Sequence, residues 1–332
     1  MERPIQKTYS HGSLFAGIGG LCTSFNNAGF ESLFVNEIDK KVSETYLYNY
    51  PSKNLLTKPI QEISATDLEP VDVLHGGFPC QSFSIAGAKK GFDDPRGKMF
   101  FEITRLIKEF KQYRPKVLVL ENSPYLRIGA DGGWFRRIKH ELAKLGYWFD
   151  DSNAIQLNVA THTGVPQSRE RLFMIALDSE YFDYNPVSQI DFEKVALKPM
   201  SGFLDVDKEV DPSYYLDSEN KYSRLIMSHK VKSNAYKIYQ LRKFEVRLPS
   251  EEICPTLTAN MGTGGHNVPF IINKTGVRKL TERECLNLQG FDKDFFFPDS
   301  ISKGARYSMI GNAVSPLVSN LLVRRVNQLL RV

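Results

Sequence analysis

The sequence predicts an α/β fold with a largely parallel central sheet and a second, smaller domain. A chain of 332 residues with 42% hydrophobic residues is long enough for one large core and a smaller one. From about residue 10 to 177, short apolar runs alternate with longer amphipathic ones, the rhythm of β/α units. Between about 180 and 275 this rhythm stops. We therefore expect a first domain at 8–178, a second at 179–275 and a C-terminal segment, 276–332, that returns to the first.

The individual elements follow from the apolar pattern. Helices are expected at 21–28, 40–50, 98–112 and 134–145, the last two with apolar residues at helical spacing. Thr281 and Glu284 have the spacing of a capping box, so a helix should begin after Thr281, and a last helix should run from about Ala313 to the end. The predicted strands are Ser13–Phe15, Leu33–Val35, Val71–Leu74, Lys116–Leu120 and Leu172–Ala176.

Composition excludes several classes of protein. No stretch approaches the roughly 18 apolar residues that span a bilayer, and the start has no apolar leader, so we expect a soluble, cytoplasmic protein without membrane contact. The four cysteines are far apart and have no histidine at zinc-ligand spacing, which predicts neither a metal site nor disulfides. The net charge of +5 permits nucleic-acid binding without requiring it.

A glycine loop, residues 15–20, follows the first predicted strand and leads into a helix, where backbone can approach a ligand. Glu37 comes after the second strand, about 20 residues later, where a carboxylate can accept hydrogen bonds from ribose hydroxyls. Alone, the glycines could serve only a tight turn. Cys22 replaces the third glycine of the dinucleotide fingerprint, which argues against a nicotinamide cofactor. Together the loop and Glu37 indicate an adenosyl ligand.

Cys80 lies in the loop 76–84, directly after a predicted strand, where open α/β sheets place their sites. An isolated cysteine is more often a small buried apolar group, and we interpret Cys22, Cys254 and Cys285 in that way. Cys80 is the candidate nucleophile.

Five motifs stand in the order seen in DNA cytosine-5 methyltransferases of the bacterial and phage restriction-modification type, which the chain resembles over nearly its whole length. The resemblance implies a class I S-adenosyl-L-methionine-dependent (Rossmann-like) sheet with a smaller target-recognition domain. It also implies methyl transfer to carbon 5 of a flipped-out cytosine in a specific duplex DNA sequence, with S-adenosyl-L-homocysteine as product. The motifs are Phe15–Gly20, Pro79-Cys80-Gln81, Glu121-Asn122, Gln167-x-Arg169-x-Arg171 and Gly311-Asn312-Ala313-Val314.

The resemblance implies catalytic roles for four residues. Cys80 matches the thiolate that adds to carbon 6 of cytosine as a covalent adduct. Glu121 matches the carboxyl group that meets the charge at ring nitrogen 3 and holds the exocyclic amine. Arg169 matches the arginine that contacts the cytosine carbonyl oxygen, and Arg171 matches its neighbour in the motif. Solvated charges on a surface strand are the alternative for both arginines.

The cofactor site is implied in the same way, with Ile38 and Ile60 around the adenine and Asn312 near the methionine end. The chain departs from the family at Pro59, where aspartate is common, and this puts the contact with the adenine amine in question, because proline has neither side-chain acceptor nor backbone donor. The cofactor residues are Phe15, Gly17, Ile18, Gly19, Glu37, Ile38, Ile60, Pro79, Asn312 and Ala313.

DNA contacts are expected from two regions. The loop 81–96 resembles a mobile lid whose candidate contacts are Gln81, Ser84, Lys89 and Arg96, with an ordinary surface loop as the alternative. The basic stretch 221–247 is interleaved with aromatic residues and suits phosphate contact and groove packing, unless it is a solvated helix face. Thr256 and Leu257 resemble a Thr-Leu segment that touches DNA beside the flipped base.

The expected partner is double-stranded DNA, bound by a monomer. A cognate restriction endonuclease would act on the same site without forming a stable complex. An RNA cytosine-5 methyltransferase is the first alternative, although the usual Cys-Phe-Thr segment is missing from the recognition region. The second is an inactive DNA-binding relative, although Cys80, Glu121 and Arg169 are all present.

Overall fold

The computed structural model describes residues 8–51, 54–79, 82–83, 91–231, 236–249, 252–263 and 266–331. Its contacts divide the chain into two compact units, each assembled from separate stretches. Unit 1 comprises Met1–Leu157, Glu170–Phe192 and Ser319–Val332, and unit 2 comprises Asn158–Arg169 and Glu193–Val318. The division into domains at 8–178, 179–275 and 276–332 stays a prediction.

The strands and helices are given in chain order. The strands are β1 (Ser10–Leu14), β2 (Glu31–Asn36), β3 (Leu55–Leu56), β4 (Val73–Gly77), β5 (Val117–Asn122), β6 (Tyr147–Trp148), β7 (Ala154–Asn158), β8 (Gln167–Ser168), β9 (Glu170–Asp178), β10 (Tyr239–Arg242), β11 (Glu245–Arg247), β12 (Cys254–Pro255), β13 (His266–Ile272) and β14 (Val277–Lys279). The helices are α1 (Gly20–Asn27), α2 (Lys40–Asn49), α3 (Met99–Phe110), α4 (Tyr125–Ile128), α5 (Gly133–Lys144), α6 (Val159–Thr163), α7 (Lys221–Ser228), α8 (Glu282–Gln289), α9 (Lys303–Asn312) and α10 (Pro316–Leu330).

The sheet of unit 1 has the order β3-β2-β1-β4-β5-β9-β6, and β7 pairs with β9 outside this order. The strands from β3 to β5 are parallel to their neighbours, whereas β9 is antiparallel to β5 and β6. This confirms the predicted α/β fold with a parallel-dominated sheet. The chain leaves β1 first to one side, for β2, and later to the other, for β4, so β1 marks the point at which the strand order reverses.

Apolar patterning explains the elements of unit 1. All six residues of β5 are buried, as expected for a central strand of a sheet that is covered on both faces. Helices α3 and α5 each bury one face in the main core, through Phe100, Ile103 and Leu106 on α3 and through Ile138 and Leu142 on α5. Both helices were predicted from this periodicity.

Unit 2 contains an antiparallel sheet of order β11-β10-β13-β14 and a short parallel pair, β8 with β12. The predicted capping box at the start of α8 is confirmed, because the Thr281 hydroxyl accepts from the Glu284 N–H and the Glu284 carboxylate accepts from the Thr281 N–H. The last helix begins at Pro316 rather than at Ala313. Proline is favoured in the first turn of a helix, where its missing N–H costs nothing.

Two kinds of structural feature are absent from the described residues. None of the helices in this part of the chain combines the length and the apolar character needed to cross a membrane. The same residues contain no group of three or more His, Cys, Asp or Glu side chains placed to hold a metal ion. Cys22, Cys254 and Cys285 are buried thiols.

Candidate active site

The parallel strands of unit 1 bring several predicted residues to one edge of the sheet. The glycine loop follows β1, Glu37 follows β2, Pro79 lies just beyond β4 and Glu121 lies near the end of β5. Because the carboxyl ends of parallel strands share an edge, these residues surround the point at which the strand order reverses. Open α/β sheets bind their ligands in the crevice at that point.

The glycine loop adopts backbone conformations that favour glycine. Gly17 has φ 57° and Gly19 has φ 90°. A Cβ atom at Gly19 would lie 2.6 Å from the ring of Tyr50, so this glycine permits close packing. A Cβ atom at Gly17 would meet no described atom within 4 Å. Gly17 therefore leaves open space beside the loop, into which a ligand can approach the backbone.

Glu37 is tied to this loop. One carboxylate oxygen accepts from the Gly17 N–H at 2.9 Å, and the other accepts from the Asp39 N–H at 2.9 Å. Each oxygen has a second lone pair, which leaves acceptors for ribose hydroxyls. Burial raises the pKa of Glu37 above its ordinary value. The next side chain, Ile38, is 59% exposed and offers an aliphatic surface for an adenine ring. These features fit an adenosyl group.

The other aliphatic residues assigned to the adenine pocket are less accessible. Ile18 and Ile60 are buried, and Ile60 belongs to the main core of unit 1. Pro59 precedes a short 3-10 turn, Ile60–Glu62. A contact between Ile60 and an adenine stays a prediction.

The predicted nucleophile Cys80 lies outside the described residues, as do Gln81, Ser84 and Lys89. The backbone just before Cys80 is held by β5, because the Asn122 amide donates a hydrogen bond to the Phe78 carbonyl at 3.1 Å. Arg96 forms two side-chain hydrogen bonds to Asp94, at 3.0 and 2.9 Å, and they hold the pKa of Asp94 well below its usual range. The Arg96 side chain is still 51% exposed, so its outer face is available to a phosphate.

Glu121 forms an ion pair with Arg171 at this edge, with 3.0 Å between Oε1 and Nε. Antiparallel pairing explains the contact, because Asn122 on β5 is opposite Leu172 on β9 and Arg171 is the next residue. Glu121 is buried. The structure thus brings together two of the four predicted catalytic residues, a carboxylate and a guanidinium.

Arg169 has different surroundings, inside unit 2. Its side chain is 1% exposed and donates to the carbonyls of Leu257, Gly311 and Ala313, at 2.9, 3.0 and 2.7 Å. Its predicted contact with cytosine stays a prediction. In the described structure this guanidinium stabilises two turns of backbone.

Gln289 completes the same network and was missed by the sequence analysis. The Gln167 amide donates to the Gln289 side chain at 2.8 Å, and Gln289 donates to the Ile310 carbonyl at 2.7 Å. Gln167 also accepts from the Leu257 N–H at 3.2 Å. A glutamine before a helix-ending glycine gives no sequence signal of such burial. The network holds both the segment 311–313 and residue 257 within unit 2.

The remaining predicted residues lie around this network. Asn312 is exposed at the end of α9, while the following Ala313 is buried. The Thr256 hydroxyl donates to the Ser168 carbonyl at 2.5 Å, and the Leu257 side chain is buried. The DNA contacts assigned to Thr256 and Leu257 stay predictions.

Comparison with known proteins gives consistent matches. The model of the C-5 cytosine-specific DNA methylase family matches residues 9–328. The Type II methyltransferase M.Bsp6I of Bacillus sp. (strain RFL6) is 38% identical over 307 residues, 91% of this chain and 93% of that protein. M.NgoBI of Neisseria gonorrhoeae is 33% identical over 306 residues, 91% of this chain and 88% of that protein. The structure of the Entamoeba histolytica methyltransferase EhMeth shares the fold, with a TM-score of 0.73 at 20% identity over 98% of this chain and 99% of that one.

Proposed function

Because the chain belongs to the family of C-5 cytosine-specific DNA methylases, we propose that Cys80, Glu121 and Arg171 carry out its chemistry on a flipped-out cytosine. The reaction itself is methyl transfer from S-adenosyl-L-methionine to carbon 5 of cytosine in DNA. The fold is that of class I methyltransferases. The observation that carries the proposal is the Glu121–Arg171 pair, 3.0 Å apart at the sheet edge where β4 leads towards Cys80.

The Cys80 thiolate adds to carbon 6, and the electrons of the ring double bond move so that carbon 5 becomes nucleophilic. Negative charge then develops at ring nitrogen 3, where the Glu121 carboxyl group, in its protonated form, donates a hydrogen bond or a proton. S-adenosyl-L-methionine, when bound, supplies an electrophilic methyl group carried on a sulfonium sulfur. Once carbon 5 is methylated, loss of its proton to water restores the double bond and releases the Cys80 thiolate, and ring nitrogen 3 returns to Glu121 any proton that it received.

We assign the contact with the cytosine carbonyl oxygen to Arg171 rather than to Arg169. The carbonyl is next to ring nitrogen 3, the atom assigned to Glu121, and Arg171 already lies against Glu121. The guanidinium of Arg169, in contrast, is occupied by three backbone carbonyls. Its proposed role is to stabilise those turns.

For the cofactor, we propose that Glu37 accepts hydrogen bonds from the ribose and that Ile38 packs on the adenine. The open side of Gly17 and the position of the Glu37 carboxylate against this loop support this placement. The same proposal includes Phe15, Ile18, Gly19, Ile60, Pro79, Asn312 and Ala313.

The biological setting is also a proposal. The protein acts as a monomer in the cytoplasm, where its DNA substrate is found, and contacts that DNA through Gln81, Ser84, Lys89, Arg96, Thr256 and Leu257. A cognate restriction endonuclease acts on the same sequence without a stable complex. The support for this is the name of the relatives, which are Type II methyltransferases.

The test is transfer of a tritiated methyl group from S-adenosyl-L-methionine to unmethylated duplex DNA and, in parallel, to transfer RNA. We expect label in DNA alone, with bisulfite sequencing placing it at one short recurring sequence. Cys80→Ser should bind the same DNA and transfer nothing. Labelled RNA would instead support the RNA enzyme, and wild-type protein that binds DNA without transfer would support the inactive relative.

A further inference from the structure

The turn between β10 and β11 in unit 2 exposes an aromatic residue. Phe244 is 75% exposed, the highest fraction among the large hydrophobic side chains that the structure describes. Arg242 and Glu245 are paired across the two strands, so Lys243 and Phe244 form a two-residue turn. Lys243 has φ 54°, the backbone conformation that such tight hairpin turns require.

The body of this hairpin is anchored independently of Phe244. Tyr239 and Leu241 are buried in the core of unit 2, and Val246 packs against that core. Strand alternation then places Arg242 and Arg247 on the opposite, exposed face. The packing of the hairpin against unit 2 therefore does not depend on Phe244.

Three cations accompany the exposed ring. Arg242, Lys243 and Arg247 are all exposed, and none of them forms an ion pair with another described residue. Arg242 is opposite Glu245 in the strand register, but the two side chains do not form an ion pair. A single exposed hydrophobic residue is common on protein surfaces. An exposed ring beside three cations that have no ion-pair partner among the described residues is suited to a polyanion that also has apolar faces.

Duplex DNA has this chemistry. Its major groove, about 12 Å wide, admits a two-stranded β-ribbon, and its phosphates attract the cations. Apolar side chains can pack on base edges or insert at a base step. His266, exposed and opposite Arg242 at the start of β13, adds a polar group at the same end of the sheet.

We propose that residues 242–245 enter a groove of the substrate DNA, with Phe244 against the bases and Arg242, Lys243 and Arg247 against phosphates. This inference rests on the proposed function and adds a recognition element to it. The hairpin would then contribute both affinity and sequence discrimination.

The test separates the two kinds of interaction by salt dependence. Dissociation constants are measured by fluorescence anisotropy over a series of salt concentrations. One unmethylated duplex carries the recognition sequence located by bisulfite sequencing, and a second differs from it by a single base pair. Phe244→Ala should weaken binding to the specific duplex about 10-fold and reduce the discrimination between the duplexes, without changing the salt slope. Replacing Arg242, Lys243 and Arg247 with glutamine should flatten the slope by about 0.9 for each phosphate that is no longer neutralised.

The matched control is Phe296→Ala, because Phe296 is 54% exposed in the same unit but lies outside the hairpin. It should leave affinity, discrimination and slope unchanged, and all variants should retain the wild-type melting temperature and KM for S-adenosyl-L-methionine. If the hairpin variants kept the affinity, the discrimination and the salt slope of the wild type, the proposal would be wrong. Wild-type protein that binds DNA but transfers no methyl group would instead contradict the proposed function, since the effects of the hairpin variants on binding remain measurable.

Discussion

At the scale of single residues, the protonation state of Glu37 should make binding of S-adenosyl-L-methionine depend on pH. Burial raises the pKa of its carboxyl above the ordinary value of 4.5, and ribose hydroxyls donate best to the ionised form. Protonation uses up an acceptor as the pH falls through this raised pKa, so the dissociation constant for S-adenosyl-L-methionine should increase in that window. Isothermal titration calorimetry at a series of pH values measures the change. Glu37→Gln should bind more weakly and show a flat profile, and a profile parallel to that of the wild type would refute the role.

The two arginines of one motif should respond differently to substitution. Arg171→Ala removes a group placed at the reacting base, so kcat should fall about 100-fold or more, with a smaller loss of stability than in Arg169→Ala, because Arg171 is partly exposed. Arg169→Ala leaves three backbone carbonyls without their donor, which should lower the free energy of unfolding by about 3 kcal/mol. Urea denaturation and steady-state kinetics on both variants distinguish a catalytic role from a stabilising one. If Arg169→Ala kept its stability and reduced only kcat, the catalytic role would belong to Arg169.

At the scale of elements, strands β1 and β4 are joined by a buried histidine pair. His11 Nδ1 lies 2.9 Å from His75 Nε2, and His11 Nε2 lies 2.8 Å from the Asn26 Oδ1. Burial lowers the pKa of His11 to about 4 and the pKa of His75 well below its ordinary value. The unfolded chain therefore takes up protons first, so stability is fully present above about pH 6.5 and is lost as the pH falls towards 4.

Urea denaturation should show this loss as a fall in the free energy of unfolding between pH 7.5 and 5. The slope should approach about 1.4 kcal/mol per pH unit for each histidine. His75→Leu should have a smaller slope, whatever its stability at pH 7.5. The control His266→Ala removes an exposed histidine and should keep the wild-type slope. Equal slopes in His75→Leu and the wild type would exclude the pair as the cause.

Elements also differ in how far the sequence predicts them. The strands β2, β4, β5 and β9 and the helices α3 and α5 were predicted, because long apolar or periodic runs decide their structure locally. The strands of unit 2 were not. β12 is two residues long and pairs with β8, 87 positions earlier at Cys254 and Gln167, so only the tertiary fold creates it. The basic stretch 221–247 likewise divides into α7, β10 and β11 rather than forming one helix face.

At the scale of the whole molecule, the candidate site was predictable where motif residues follow parallel strands, since topology alone collects Glu37, Pro79 and Glu121 at one edge. The partners of those residues were not predictable. The Glu121–Arg171 pair depends on an antiparallel register, and the role of Gln289 depends on a buried network assembled from distant segments. Side-chain chemistry at a site is thus visible in the sequence before its hydrogen-bond partners are.

Binding of S-adenosyl-L-methionine should raise the melting temperature of the whole protein. A ligand at 100 times its dissociation constant stabilises a protein by about 2.7 kcal/mol, which should raise the melting temperature by several degrees. Asn312→Ala should shrink this shift at the same concentration of S-adenosyl-L-methionine, because an exposed amide that contacts the cofactor contributes only when it is bound. Differential scanning fluorimetry measures the shift, with Glu37→Ala as the positive control and Asn327→Ala, on α10, as the neutral one. A full shift in Asn312→Ala beside a reduced one in Glu37→Ala would remove Asn312 from the cofactor site and leave the ribose contact in place.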